Sequence, residues 1–340
     1  MLARLPAPGP SLAALTPGLD WEALVRSAAR HGVSALIADA LAEAGVTPPP
    51  VPAAALADDA RRLVAQGLKL KRLTHTVLGA FSARGVVPIA LKGYGLALRL
   101  YPRQPLARPA TDVDILVAPE QLRAVEDALR SLGLARVEDM SLADVFEEHH
   151  HLSFSGPRGL VEVHFRLFSG FGGAAFDDRA LAARSWTGSI DGRPARYLAP
   201  EDELVYLATH AANHAFLRAS WLVDLQRFLA HHPALDWAEM AARAERAGFR
   251  TAVATTLALL ERLLEVRLPE AAQRAFPLGR GRRLVDRLAF SPASLDSSAL
   301  AGHHLGSFLL RLLLVDSAGH GLRHLVDGAR RYLRRARAER

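Results

Sequence analysis

The sequence predicts a mixed α/β core, a small mixed sheet with helices, flanked by an N-terminal helical segment and a C-terminal helical domain. Three observations predict it. Apolar runs of strand length at residues 86–91 and 112–117 enclose a helical stretch. Residues 146–154 and 160–168 flank Gly156-Pro157-Arg158-Gly159, the composition of a turn between antiparallel strands. From Pro200 onward the apolar spacing becomes that of successive long helices. These changes of pattern divide the chain into residues 1–79, 80–198 and 199–340, with no internal repeat.

Taken in order, residues 21–43 carry helical spacing that Pro48, Pro49, Pro50 and Pro52 interrupt. A second helix over 53–84 presents Leu63, Leu68, Leu70, Leu73 and Leu78 and stops at Gly85. The strand at 86–91 leads into Lys92-Gly93, then a helix over 94–100 that ends at Tyr101-Pro102. A loop holding Arg103 and Arg108 precedes the strand at 112–117, and Pro119-Glu120 opens a helix over 119–132. Beyond the hairpin, helices are expected at 201–215, 219–231, 237–247, 251–264 and 305–315.

At 340 residues the chain is long enough for one large or two medium domains, and 50% hydrophobic with 23% charged residues is the balance of a soluble globular protein. No apolar run approaches a membrane span, and the early prolines interrupt what a signal peptide would need, so a cytoplasmic location is expected. The absence of cysteine excludes disulfides and thiolate metal sites, leaving His, Asp and Glu as strong ligands. The net charge of +7 is almost all arginine, since Lys69, Lys71 and Lys92 are the only lysines. That bias is attributed to a GC-rich genome. The densest basic run, residues 330–337, reads as a solvated helix end with little aromatic interleaving.

Asp112-Val113-Asp114 is the most informative motif. Two aspartates one residue apart on a strand share a face, with alpha carbons about 7 Å apart, close enough to hold one or two hard cations. The apolar Val113, Ile115, Leu116 and Val117 mark a buried strand, where two carboxylates are costly without a neutralising cation. A third acid, Glu162, lies in Leu160-Val161-Glu162-Val163-His164-Phe165, whose alternation puts Glu162 and His164 on one face and Val161, Val163 and Phe165 on the other.

A strand ending in Lys92-Gly93, a helix, a loop and a strand bearing Asp112-x-Asp114 resembles the nucleotidyltransferase superfamily related to DNA polymerase β. Where that superfamily more often has a glycine-glycine or glycine-serine turn, this sequence has Lys92-Gly93-Tyr94, with a longer interval to the first aspartate. In this it resembles a poorly characterised family of bacterial nucleotidyltransferase-like proteins with a Leu-Lys-Gly turn, a Val-Glu-x-His strand and a histidine-rich helical region. Residues 91–93, 108–116, 161–164 and 210–224 fit that pattern. The resemblance implies transfer of a nucleoside monophosphate from a nucleoside triphosphate such as ATP to a hydroxyl or phosphate acceptor, with release of pyrophosphate. It implies two Mg2+ ions on Asp112, Asp114 and Glu162, and a nucleotide held at Lys92, Gly93, Tyr94 and Arg108. The acceptor, whether small molecule, peptide, protein or RNA, would be set by the helical domain, and the oligomeric state stays open.

The remaining histidines take lesser roles. His164 is a substrate-orienting or acid/base candidate, and His210 and His214, spaced i,i+4 on one helix face, join Asp224 as further orienting candidates. His149, His150 and His151 follow Glu147 and Glu148 at a strand start. Because neighbouring strand residues alternate faces, at most two of the three could share a zinc site with His164, and exposure is the expected state for the rest. His303, His304, His320 and His324 read as surface or interface residues. Two other classes compete with an enzyme: a partner- or nucleotide-binding protein that keeps the fold without turnover, and an RNA-binding protein resting on the basic tail.

Overall fold

A computed structural model describes residues 18–141, 144–146, 149–168, 174–291, 294 and 304–338. The mixed α/β class expected from the sequence is the one observed. The chain divides into two compact units, Met1–Leu167 with Ala182–Ala199 and Arg218–Ser220, and Phe168–Leu181 with Pro200–Leu217 and Trp221–Arg340.

In the first unit the opening helical stretch is broken in two. Helix α1 (Trp21–His31) is capped by Asp20, whose carboxylate accepts from the Ala23 amide at 2.9 Å, and it closes at Gly32 in the left-handed conformation (φ 67°). Helix α2 (Ser34–Glu43) follows, then α3 (Pro50–Ser82), which starts three residues ahead of the expected position because proline is tolerated in a first turn. Ala28, Leu41 and Leu56 give these three helices a small core of their own.

The sheet has seven strands in the order β3-β4-β5-β2-β1-β7-β6. They are β1 (Ile89–Ala90), β2 (Asp112–Leu116), β3 (Ala135–Arg136), β4 (His151–Gly156), β5 (Gly159–His164), β6 (Trp186–Ile190) and β7 (Arg193–Tyr197). Helix α4 (Gly93–Leu100) joins β1 to β2, and α5 (Leu122–Ser131) joins β2 to β3. Central β2 runs antiparallel to β1 and parallel to β5, while β4 and β5 form the expected hairpin. Formal β1 is shorter than the predicted 86–91 run, although backbone bonds from Arg196 to Pro88 and from Leu91 to Asp114 lengthen its pairing at both ends. Leu70, Leu73, Val77 and Phe81 of α3 pack over Val113 and Ile115 of β2 and Val161 and Val163 of β5, with Val125 and Leu129 of α5 completing the core.

One glycine fixes how close α3 comes to the loop before β2. A methyl group on Gly67 would lie 2.3 Å from the Leu106 carbonyl oxygen, in the short 3-10 turn Pro105–Ala107. Replacing a mid-helix glycine by alanine ordinarily stabilises by about 0.5–1 kcal/mol. Here the sign reverses: Gly67→Ala should destabilise by about 1–3 kcal/mol, read from the urea midpoint, because backbone must give way.

Outside the sequence expectation fall the β6–β7 hairpin and helix α6 (Asp178–Arg184). The second unit is built of helices α7 (Pro200–Asn213), α8 (Ala219–His231) from Trp221 onward, α9 (Trp237–Ala247), α10 (Arg250–Leu264), α11 (Glu270–Ala275), α12 (Arg280–Ala289), α13 (His304–Leu312) and α14 (Ala318–Ala338). Of these α11, α12 and α14 were not anticipated by apolar spacing. The basic run at 330–337 lies on α14, with its side chains outside the described residues, as are Glu147, Glu148, His303 and the side chain of His304. No helix among the described residues is long and apolar enough to cross a membrane.

Candidate active site

Parallel pairing of β2 with β5 sets Asp112 opposite Leu160, Asp114 opposite Glu162 and Leu116 opposite His164. On the other side of β5, β4 sets Ser153 opposite Glu162 and His151 opposite His164. Alternation then sends Val113, Ile115, Val161 and Val163 into the core and turns Asp114, Glu162, His164 and His151 to the opposite face. Asp114 and His164 are each only 3% exposed. The Lys92 ammonium sits 2.9 Å from Asp114 Oδ1, and His164 Nε2 lies 3.4 Å from the same oxygen and 3.7 Å from Glu162 Oε2. His151 Nε2 is 3.9 Å from Glu162 Oε1.

The turn that delivers Lys92 is held from three sides. The Leu91 amide donates to the Asp114 carbonyl at 3.1 Å, registering the end of β1 against the carboxylate strand. Gly93 takes φ +64°, and a β-carbon there would stand 3.0 Å from the Asp112 carbonyl oxygen. Arg108 is buried, and its guanidinium donates to the Gly93 carbonyl at 3.3 Å, tying the loop before β2 to the turn. Lys92 is the N-cap of α4, yet its side chain runs to Asp114 and makes no cap hydrogen bond. The Tyr94 side chain is buried, its hydroxyl donating at 3.1 Å to Asp191 in the β6–β7 turn, where Lys71 also pairs at 3.4 Å. Gly93→Ala is therefore expected to strain the turn, costing about 1–3 kcal/mol of stability in thermal melts.

Electrostatically the face is short of positive charge. Burial, then repulsion from Asp114 and Glu162, pushes Asp112 up to about 6 despite Lys92. Burial would raise Asp114 too, but Lys92 and His164 outweigh it and hold that carboxyl well below the usual range. Burial likewise opposes a charge on His164, and the bonds to Asp114 and Glu162 overcome it and raise its pKa. Burial, reinforced by the neighbouring histidines and Lys92, lowers His150 to about 2, and burial with His164 lowers His151.

Two of the three neighbouring histidines join His164, within the limit expected from the sequence, but as the adjacent pair His150 and His151. His150 lies in a bend ahead of β4, so strand alternation does not separate it from His151, and their rings meet at 4.6 Å between centroids. Both rings also stand within 5.4 Å of His164. The signal available in the sequence was position: a residue just ahead of a strand escapes the period-2 rule. In the second unit, the rings of His210 and His214 are 4.7 Å apart and each lies 5.2 Å from Trp221, while Asp224 is buried in α8. His324 is buried and stacked on Phe308, contrary to a surface placement, and His320 is part-buried.

Asp112, Asp114 and Glu162 offer only oxygen, as a hard divalent cation requires, and the repulsion from Asp114 and Glu162 felt at Asp112 is what such a cation would relieve. Asp114, Glu162 and His164 each offer a ligand atom within 4.8 Å of the others.

The strand-borne carboxylates thus stand beside a glycine turn at a helix start. The chain belongs to the family described as uncharacterised nucleotidyltransferase, whose model matches residues 17–265, and it is thereby a nucleotidyl-transfer enzyme. No curated protein matches it. Among solved structures, the solution structure of the antibiotic-resistance factor ANT(2'')-Ia is similar at 18% identity and a TM-score of 0.37, over 57% of this chain and 96% of that one.

Proposed function

We propose that the chain is a magnesium-dependent nucleotidyltransferase that moves a nucleoside monophosphate from a nucleoside triphosphate to a hydroxyl or phosphate acceptor and releases pyrophosphate. The observation that carries the reading is the register of β2 on β5, which sets Asp114 beside Glu162 with Lys92 in contact. Asp112, Asp114 and Glu162 would hold magnesium, two ions by family resemblance. When bound, magnesium neutralises phosphate charge and lowers the pKa of an attacking hydroxyl.

The chain's own groups supply position. Gly93 lets backbone approach the phosphates, and the first amides of α4, including that of Tyr94, point toward an anion at the helix start. The Tyr94 side chain is committed to Asp191, so its contribution is that amide. Arg108 steadies the turn through the Gly93 carbonyl. Lys92 pairs with Asp114 at 2.9 Å, and its ammonium would be within this site to meet a phosphate oxygen. His164 orients Asp114 and Glu162 and is a candidate to relay the acceptor's proton. For His210, His214 and Asp224, which lie on the second unit, acceptor orientation is what the family resemblance implies. The reading needs no membrane, and a cytoplasmic location suits a nucleoside triphosphate donor.

Calorimetry of each nucleoside triphosphate with and without magnesium, on the native chain and an Asp112→Ala, Asp114→Ala double variant, tests it. Binding that requires both the ion and the aspartates is the expected result and names the donor. A folded native chain that binds no nucleotide would overturn it.

A further inference from the structure

Beside the carboxylates stands a second group of ligating side chains, in which His150 and His151, unused in nucleotidyl transfer, join His164. We propose that His150, His151 and His164 form a three-imidazole site for a late first-row divalent cation of the zinc type, distinct from the oxygen set assigned to magnesium.

The spacing supports an ion. One nitrogen from each ring lies within 4.8 Å of those from the other two, and the ring centroids form a near-regular triangle of 4.6, 5.2 and 5.4 Å. His150 Nε2 and His151 Nδ1 are 3.2 Å apart. Two nitrogens bound at about 2.0–2.1 Å to a tetrahedral ion stand about 3.4 Å apart, so this pair already has ligand spacing. Without an ion the same contact serves as a ring-to-ring hydrogen bond, which a change of tautomer releases.

His164 carries the second observation. The residue is 3% exposed, and its Nδ1 is buried with no hydrogen-bond partner among the described residues. A buried polar atom without a partner costs about 1–3 kcal/mol, and a cation would meet it. Its other nitrogen, Nε2, faces Asp114 and Glu162 at 3.4 and 3.7 Å. A metal-binding imidazole characteristically has its second nitrogen held by a carboxylate, which fixes the tautomer and the ring plane.

The backbone holds the other two in place. The His150 carbonyl accepts from the Phe165 and Arg166 amides at 3.0 and 3.2 Å, pinning the bend to the end of β5. Neighbouring charge is compatible with a dication, since Lys92 is matched by Asp114 at 2.9 Å and Glu162 Oε1 faces His151 at 3.9 Å. Three nitrogen donors favour zinc, cobalt or nickel over magnesium, which demands oxygen ligands. Three protein ligands leave a fourth position for water or an acceptor atom.

The full chain, stripped with chelator and titrated with Zn2+ or Co2+, provides the test. About one equivalent should bind, with the intense visible bands of tetrahedral cobalt, bleached by zinc and untouched by excess magnesium. His150→Ala and His151→Ala should each lower zinc affinity by about 100-fold, while His149→Ala and Asp112→Asn keep it. His150→Gln, with circular dichroism to confirm folding, guards against a collapsed variant. Failure of a folded native chain to bind micromolar zinc would overturn the proposal, as would native affinity in a folded His150→Ala, His151→Ala double variant. Nucleotide binding is read separately, so either site can fail alone.

Discussion

Asp114→Asn should abolish magnesium-dependent nucleotide binding, by about 100-fold or more, and also destabilise the metal-free chain by about 2–4 kcal/mol. Two effects separate here because Asp114 does two things. As a buried anion it is the partner of Lys92 and the acceptor facing His164 Nε2, so its loss strands an ammonium whose side chain is 17% exposed. As a ligand it supplies negative charge that asparagine cannot. Adding Lys92→Met should restore stability to within about 1 kcal/mol of native, since removing both members of a buried pair costs far less than removing one. It should not restore binding. Urea denaturation and calorimetry on the three variants read the two effects independently, and native nucleotide affinity in Asp114→Asn would remove the carboxylate from the site.

The face that carries Asp114 was legible because it rests on the strongest local rule, the period-2 alternation of a half-buried strand. Val113, Ile115, Val161 and Val163 had to turn inward, which forced the acids and His164 outward together. Which strands adjoin is a tertiary fact: the family resemblance offered Glu162 as the third acid, and the structure pairs β2 with β5. Elsewhere the local signals fail for identifiable reasons. Strand β7 reads Arg193-Pro194-Ala195-Arg196-Tyr197, where a proline and two arginines mask the alternation. Even so, buried Ala195 and Tyr197 fall two apart, and Arg196 donates to the Ala182 and Ser185 carbonyls. Arg108 looks like an ordinary loop arginine, and only the fold brings its guanidinium to Gly93. Helix α12 is so rich in arginine that its apolar spacing is thin, though Asp286 at its centre is buried against Arg282 and Thr255.

Magnesium affinity should rise about tenfold per pH unit up to about pH 6 and then level, because the ion competes with the proton on Asp112. Asp112 titrates near 6 in the folded chain against 3.8 when unperturbed, so between those values the folded state holds the extra proton. The stability contribution of Asp112 is therefore full below 3.8 and is lost as pH rises through 6, a change on the order of 3 kcal/mol. His150 works in the opposite sense across an overlapping window. Lowered to about 2, it is neutral when folded and protonated when unfolded, so its contribution grows as pH rises toward its ordinary value of 6.5. The Asp112 effect is consequently read as the difference between the native chain and Asp112→Asn, in which the histidine contribution is common to both. That difference should favour the native chain at pH 4 and shrink or reverse by pH 7 without magnesium. Saturating magnesium should reverse it again in favour of the native chain, because the ion binds only the charged carboxylate and stabilises by mass action. A magnesium affinity that is flat from pH 5 to 7, or equally steep in Asp112→Asn, would place the ion on Asp114 and Glu162 without Asp112.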